Sequence, residues 1–270
     1  MLQKQSMHAT AVWNQKENMN ELRRILSFVR RAVDDYGMIE AGDRIAVGIS
    51  GGKDSLTLLT ALASLRRFYP KPFEVVAIAV DLGFEGTDYS GVISLCESLG
   101  VPFHRIKTDI GHIIFDLRRE KNPCSLCAKM RRGSLNEAAK SLGCNRVALG
   151  HHFDDAVETF LLNLFYEGRL GCFSPVTYLS RKELYVIRPL LYAEEKDIAY
   201  FARHATPPLP IIESKCPADK STEREEMKQL LRHLEKENKG LRHRIFGAIC
   251  REGLDGFCDP GRLPLSPIEE

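Results

Sequence analysis

Apolar residues in this chain fall into two rhythms, and the switch between them marks out the elements. In "NELRRILSFVRRAVDDYGM", Leu22, Ile25, Leu26, Val29 and Val33 recur at helical spacing, and Gly37 stops the helix. Short apolar runs then alternate with amphipathic stretches. The runs "RIAVGIS", "EVVAIAV", "PFHRIK", "NRVALG" and "LYVIRPL" predict strands. Helices are predicted from about Ser55 to Phe68, in "DYSGVISLCESLG", from about Ser125 to Leu142, in "DDAVETFLLNLFY" and in "AEEKDIAYFARH". This alternation predicts an α/β fold: a Rossmann-like, parallel five-stranded sheet with helices on both faces, and ligands at the carboxyl ends of its strands. Beyond residue 210 the pattern changes. "STEREEMKQLLRHLEKENKGLRHRIFGAI" predicts two charged amphipathic helices that pack on the sheet or cover its site. "CDPGRLPLSPIEE" is expected to be a loose tail. The expected organisation is an N-terminal helical segment (1–40), a central α/β sheet domain (41–210) and a C-terminal helical segment with the tail (211–270).

Three unusual turns fall on the carboxyl rim. The first is "GISGGKDSLTLL". A Gly-x-x-x-x-Gly-Lys-Ser/Thr loop would need Gly where Val47 stands and Ser or Thr where Asp54 stands, so that reading fails at two fixed points. The stretch still suits a phosphate. Gly51 and Gly52 let backbone N–H groups turn inward at a helix N-terminus. Ser50 and Ser55 add hydroxyls, Lys53 adds a charge, and Asp54 accepts from the loop or helps to hold Mg²⁺. The second turn follows Val80 and Asp81, where the second strand ends. The third, "GHHFDDAVET", puts Asp154 and Asp155 at a helix start. They act there as caps, or one carboxylate holds Mg²⁺ or serves as a base. Gly150 permits close backbone approach, and His151 and His152 are expected to hold the turn.

Composition narrows the class. No apolar run is long enough to cross a bilayer, and the first residues lack the basic-then-apolar order of a secretory leader, so a cytoplasmic location is expected. Net charge is +2 and the isoelectric point is near 8.1, which neither demands nor excludes nucleic acid. Basic residues do cluster: Arg23, Arg24, Arg30 and Arg31; Arg66, Arg67 and Lys71; Arg118, Arg119 and Lys121; Lys129, Arg131 and Arg132; Lys239, Arg242 and Arg244. Trp13, outside the sheet region, is read as a helix anchor.

Of eight cysteines, Cys96, Cys144, Cys172, Cys250 and Cys258 belong to no constellation and are read as packing residues. "NPCSLCAKMRRG" sets Cys124 and Cys127 three apart where a helix opens, on one side of it. The helix N-terminus and Lys129, Arg131 and Arg132 are expected to lower both thiol pKa values. Such a pair means zinc, iron–sulfur, redox chemistry or nothing. A zinc site would want a second pair, and there is none. Cys216, in "PIIESKC", is the distant cysteine expected near the site, and Arg131 shares the cysteine face.

The SGGKDS stretch resembles the signature of the PP-loop ATP pyrophosphatases. From about Arg23 to Arg251, "SGGKDS", "CSLCAKMRRG", "ALGHHFDDAVETFLLNLFYEG", "VIRPLLYAEEKDI" and "PIIESKC" together resemble the tRNA 2-thiocytidine synthetase (TtcA) family. The resemblance implies an adenine nucleotide alpha hydrolase-like fold that uses ATP, Mg²⁺ and a 4Fe-4S cluster. It implies ATP on Ser50, Gly51, Gly52, Lys53, Asp54, Ser55, Val80, Asp81, Gly150 and His151, and the cluster on Cys124, Cys127 and Cys216. Asp54 or Asp155 would hold Mg²⁺, with Asp154, Asp155 and Arg131 beside the reacting groups. The implied reaction adenylates the C2 oxygen of an anticodon-loop cytidine, at position 32, and replaces it with sulfur. Implied partners are tRNA, a sulfur donor (a cysteine desulfurase or sulfide) and a second copy of the chain. Three rivals stand beside this reading: a PP-loop sulfurtransferase acting on another base or a small molecule, a zinc-containing amidating enzyme that uses ammonia, and a nucleotide-binding module whose cysteines form a redox switch.

Overall fold

The computed structural model describes residues 15–118, 123–217, 223–258 and 268–269. Trp13, Arg119 and Lys121 lie outside the described residues, as does most of the tail. The first helix, α1 (Gln15–Asp35), buries Leu22, Ile25, Leu26, Val29 and Val33, the stripe that its period predicts. The strands and helices then alternate: β1 (Arg44–Ile49), α2 (Lys53–Leu65), β2 (Glu74–Asp81), α3 (Ser90–Leu99) and β3 (Phe103–Lys107). A short α4 (Ile110–His112) runs into a π-turn at Ile113–Leu117. Next come α5 (Pro123–Ser141), β4 (Arg146–Ala148), α6 (Phe153–Tyr166), β5 (Val176–Leu179), β6 (Leu184–Ile187) and α7 (Glu195–His204). The C-terminal helices are α8 (Glu223–Glu237) and α9 (Leu241–Arg251), and β7 is Ile268–Glu269.

The sheet order is β3-β2-β1-β4-β6-β5-β7. The five strands expected from sequence are β1, β2, β3, β4 and β6, and they run parallel. Two strands were not expected. β5 pairs antiparallel with β6 as a hairpin arm, and β7 pairs with β5, so part of the tail expected to be loose is a strand. β5 has only four residues, and its turn into β6 contains no Gly or Asn; Glu183 takes the positive φ of 52° instead.

The central parallel strands β1 and β2 are apolar on both faces. Ile45, Val47 and Ile49 of β1 and Val75, Ala77 and Ala79 of β2 pack into one core with α1 and α2. Ala46, Val76, Ile78 and Val80 face the other way, against Ile110, Ile114, Leu135 and Ala139. That two-sided burial is why the strand segments read as continuous apolar runs rather than alternating ones. At the amino end of the sheet, buried Asp43 pairs with Arg146 and accepts a bond of 2.7 Å from Asn145 Nδ2. The opposite, carboxyl end is left to the three rim turns.

Candidate active site

The turn after β1 is built as a cradle. Gly51 has φ of +84°. Gly52, in extended conformation, caps the N-terminus of α2. Ser55 Oγ accepts from Ser50 N at 3.2 Å and from Ser50 Oγ at 3.1 Å, and Ser50 Oγ accepts from Gly52 N at 3.3 Å. These bonds curl the loop around the open end of α2, where unsatisfied N–H groups favour an anion. Gly150 lies against this loop, and a Cβ there would come within 3.1 Å of the Asp54 backbone.

Two cavities open on the cradle. One, of about 570 Å³, is lined by Ser50, Asp54, Ser55, Gly150, His151 and Asp155, with Arg131, Arg132, Arg188 and Arg224 around it. The second, of about 420 Å³, is lined by Gly52, Asp81, Cys124, Cys127 and Cys216 among others. Ser50, Val80, Ala128 and Arg131 line both, so they form the shared wall. The three cysteines proposed from sequence therefore face one chamber beside the cradle, although they come from two distant segments. The residues before Cys216 bring it there: Ile212 N donates to Gly51 O at 2.9 Å. A side chain on Gly51 would meet Ile212 Cβ at 2.8 Å, so that strap and the glycine turn are matched in shape.

The expected thiol electrostatics need correction. Burial pushes the Cys127 thiol up, Arg131 pulls it down, and Cys216 and Cys124 push it further up; the result is a raised pKa. Position at a helix N-terminus does not offset the loss of water there. Among the described residues, no three His, Cys, Asp or Glu side chains stand close enough together to hold a single metal ion. Three soft sulfur donors, Cys124, Cys127 and Cys216, line one chamber, and cysteine sulfur is the ligand type that an iron–sulfur cluster takes.

The other proposed residues divide by orientation. Asp155 lines the first cavity; its Oδ2 accepts from His152 N at 3.0 Å and its Oδ1 from Arg224 Nη1 at 3.0 Å. Burial would raise its pKa, but His152, His151, Arg224 and the His152 N–H hold it below the usual range. Asp154 lines neither cavity. Its Oδ2 accepts from Glu195 N at 2.7 Å, and its Oδ1 is bound by Arg242. Lys53 also lines neither cavity: its ammonium lies 3.1 Å from Asp54 Oδ1 and 3.0 Å from Glu195 Oε1. Asp54 lines the first cavity, and its buried Oδ1 accepts no hydrogen bond. Val80 lines both cavities. The Asp81 carboxylate is taken by Arg105, at 2.9 and 2.5 Å, and by Gly83 N. His151 stacks on Phe173 at 5.0 Å, and burial and Arg188 push its pKa down to about 3, so the ring is neutral.

Sequence reasoning missed Glu158, Arg188, Glu195, Arg224 and Lys228. Glu195 joins Lys53 to Lys228 of α8, which is 3.4 Å from its Oε1. Arg188 follows β6, on the carboxyl rim that the topology marks. Arg224 and Lys228 carried no signal, because a charged helix face does not say what it docks on.

A model of the PP-loop domain family matches residues 19–234. The chain is 43% identical over 240 residues to the tRNA-cytidine(32) 2-sulfurtransferase of Pelobacter propionicus, covering 87% of this chain and 88% of the relative. It is 43% identical over 230 residues to the tRNA-cytidine(32) 2-sulfurtransferase of Geobacter sulfurreducens, covering 84% and 89%. In fold it matches the U34-tRNA thiolase NcsA from Methanococcus maripaludis, solved with its 4Fe-4S cluster, with a TM-score of 0.70 and 24% identity over 99% of this chain and 93% of that one.

Proposed function

The chain belongs to the tRNA-cytidine(32) 2-sulfurtransferase family of PP-loop proteins, and from that premise we propose that it replaces the C2 oxygen of cytidine 32 in tRNA with sulfur, using ATP. The observation that carries this reading is the shared wall: Ser50, Val80, Ala128 and Arg131 separate an anion cradle from a chamber holding three cysteines. A carbonyl oxygen can be activated on one side of that wall and displaced from the other.

In the first step the C2 oxygen attacks the α-phosphorus of ATP, a P–O bond forms, and pyrophosphate leaves. The Ser50–Ser55 cradle holds the departing phosphates with N–H groups and hydroxyls already in place, the arrangement in which electrostatic help is largest. Lys53 supplies charge once its ammonium turns from Glu195 toward the phosphates. Mg²⁺, when bound, screens the phosphate charge, and Asp54, whose carboxylate lines the cavity and would exchange its Lys53 contact for the ion, is its best holder here. In the second step a sulfur nucleophile attacks C2, and AMP leaves with the original oxygen. Cys124, Cys127 and Cys216 would hold an iron–sulfur cluster, which when bound supplies an open iron position for a sulfur ligand. Arg131, on the wall between the chambers, is placed to hold the AMP phosphate through both steps. His151 stays neutral and leaves a ring nitrogen, Nδ1, without a hydrogen-bond partner, a group suited to orient an uncharged base. The sulfur donor is a cysteine desulfurase or free sulfide, and the reaction takes place in the cytoplasm.

The test is anaerobic incubation with ATP, sulfide and unmodified tRNA, followed by mass analysis of the nucleosides. 2-Thiocytidine should appear and should depend on ATP. If protein that releases pyrophosphate in the presence of tRNA yields no thiolated cytidine, the assignment of substrate is wrong.

A further inference from the structure

Arg224 reaches the first cavity from outside the sheet. It sits in the first turn of α8 and lines the same space as Ser50, Asp54 and Ser55. Its Nη1 donates to Asp155 Oδ1 at 3.0 Å and its Nη2 to Thr159 Oγ1 at 3.3 Å. A guanidinium has five N–H donors, so these bonds leave capacity for another acceptor. The side chain is 43% exposed, open to an incoming ligand.

Behind it lies a carboxylate with no ordinary structural use. Glu158 is fully buried, and neither of its oxygens accepts a hydrogen bond. Its nearest cations both come from α8: Arg224 Nη1 at 3.7 Å and Lys228 Nζ at 4.0 Å. A buried carboxylate in that position fixes where the α8 cations sit, by Coulomb attraction rather than by a directional bond. The cavity itself carries Arg131, Arg132, Arg188 and Arg224 against Asp54 and Asp155, an excess of positive charge facing an anion cradle.

We propose that Arg224 is a phosphate-binding residue of this site, carried in by the C-terminal helix and held in place by Glu158. This deepens the reading above and rests on it for the identity of the nucleotide. The phosphate belongs to ATP or to the backbone of the bound RNA, and the two sources are separable by experiment.

The full-length protein, as wild type, R224Q, E158Q and E158Q/R224Q, would be titrated with α,β-methylene ATP and separately with unmodified tRNA. Loss of one charge-assisted contact in R224Q should weaken analogue binding about tenfold or more, with tRNA affinity within about twofold. A loss confined to the tRNA titration also supports the proposal and assigns the phosphate to RNA. Equal affinities of wild type and R224Q for both probes overturn it. So does recovery of wild-type affinity in E158Q/R224Q, because Arg224 would then serve only to neutralise Glu158. That double variant removes the buried Glu158 charge together with its Arg224 partner, so it decides the matter even if R224Q does not fold. Failure of wild-type protein to bind the analogue would count against the ATP reading, while the tRNA titration would still test Arg224.

Discussion

Gly51 and Glu158 show how single positions tie the cradle to its surroundings. With φ of +84°, Gly51 occupies a region that costs an ordinary L-residue about 1–2 kcal/mol. A Cβ there would also fall 2.8 Å from Ile212 Cβ, in the strap that carries Cys216. G51A should therefore lower stability by about 2 kcal/mol and weaken both ATP-dependent pyrophosphate release and thiolation. Thermal unfolding and the two product assays check this; wild-type values for thiolation in a folded G51A protein would refute the matched-shape argument. Glu158 gives a pH signature. Burial raises its pKa to about 7, only partly opposed by Lys228 and Arg224 and reinforced by Asp155 and Glu195. Between its ordinary value near 4.5 and about 7, the folded state holds more protons than the unfolded one, so this residue costs stability as pH rises through that window. E158Q removes the titration. Its melting temperature relative to wild type should be higher at pH 8 than at pH 5, and an offset that does not change with pH would contradict the assigned environment.

At the scale of elements, Asp154 is a junction. From the start of α6 it accepts the first backbone N–H of α7 and binds Arg242 of α9. D154A should cost about 3 kcal/mol by leaving Arg242 unpaired and a helix end unsatisfied, and D154N, which keeps an acceptor, should cost less. Denaturant midpoints measure both. Similar losses for the two variants would mean that Asp154 does not act through these bonds. Nothing local in "GHHFDDAVET" separates Asp154 from Asp155, since both suit a helix start. Their different tasks follow from α7 and α9, which pack on α6 from far along the chain. The same limit explains what else was legible. Period and punctuation reveal α1, the parallel strands and the SGGKDS turn, because each is encoded within a few residues. β5 is four residues long with a glycine-free turn, and β7 is shorter still, so both are defined by their pairing partners rather than by their own pattern. The cysteine pair was visible as a motif. The raised pKa of Cys127 was not, because burial is set by the whole chamber rather than by the helix N-terminus.

Across the whole molecule, the two proposed half-reactions draw on different segments that meet at one wall. The cradle comes from the β1–α2 turn, and its charge control runs from Lys53 through Glu195 to Lys228. The cysteines come from the start of α5 and from the strap that ends at Cys216. Their chamber shares Ser50, Val80, Ala128 and Arg131 with the cradle chamber, and the strap is bonded to the cradle through Ile212 N and Gly51 O. If the chambers divide the chemistry in this way, they can be damaged separately. K53A removes charge where pyrophosphate develops, so pyrophosphate release and 2-thiocytidine should fall together, by about a hundredfold or more. C216S leaves the cradle intact. It should abolish thiolation while tRNA-dependent pyrophosphate release stays within about threefold of wild type, since no transition-state contact to the leaving group is lost. C124S and C127S should behave like C216S. Parallel assays of pyrophosphate and of modified nucleoside on the same anaerobic samples distinguish the two patterns. Equal loss of both products in folded C216S would mean that the cysteine chamber is needed for adenylation as well, and that the wall does not separate the two steps.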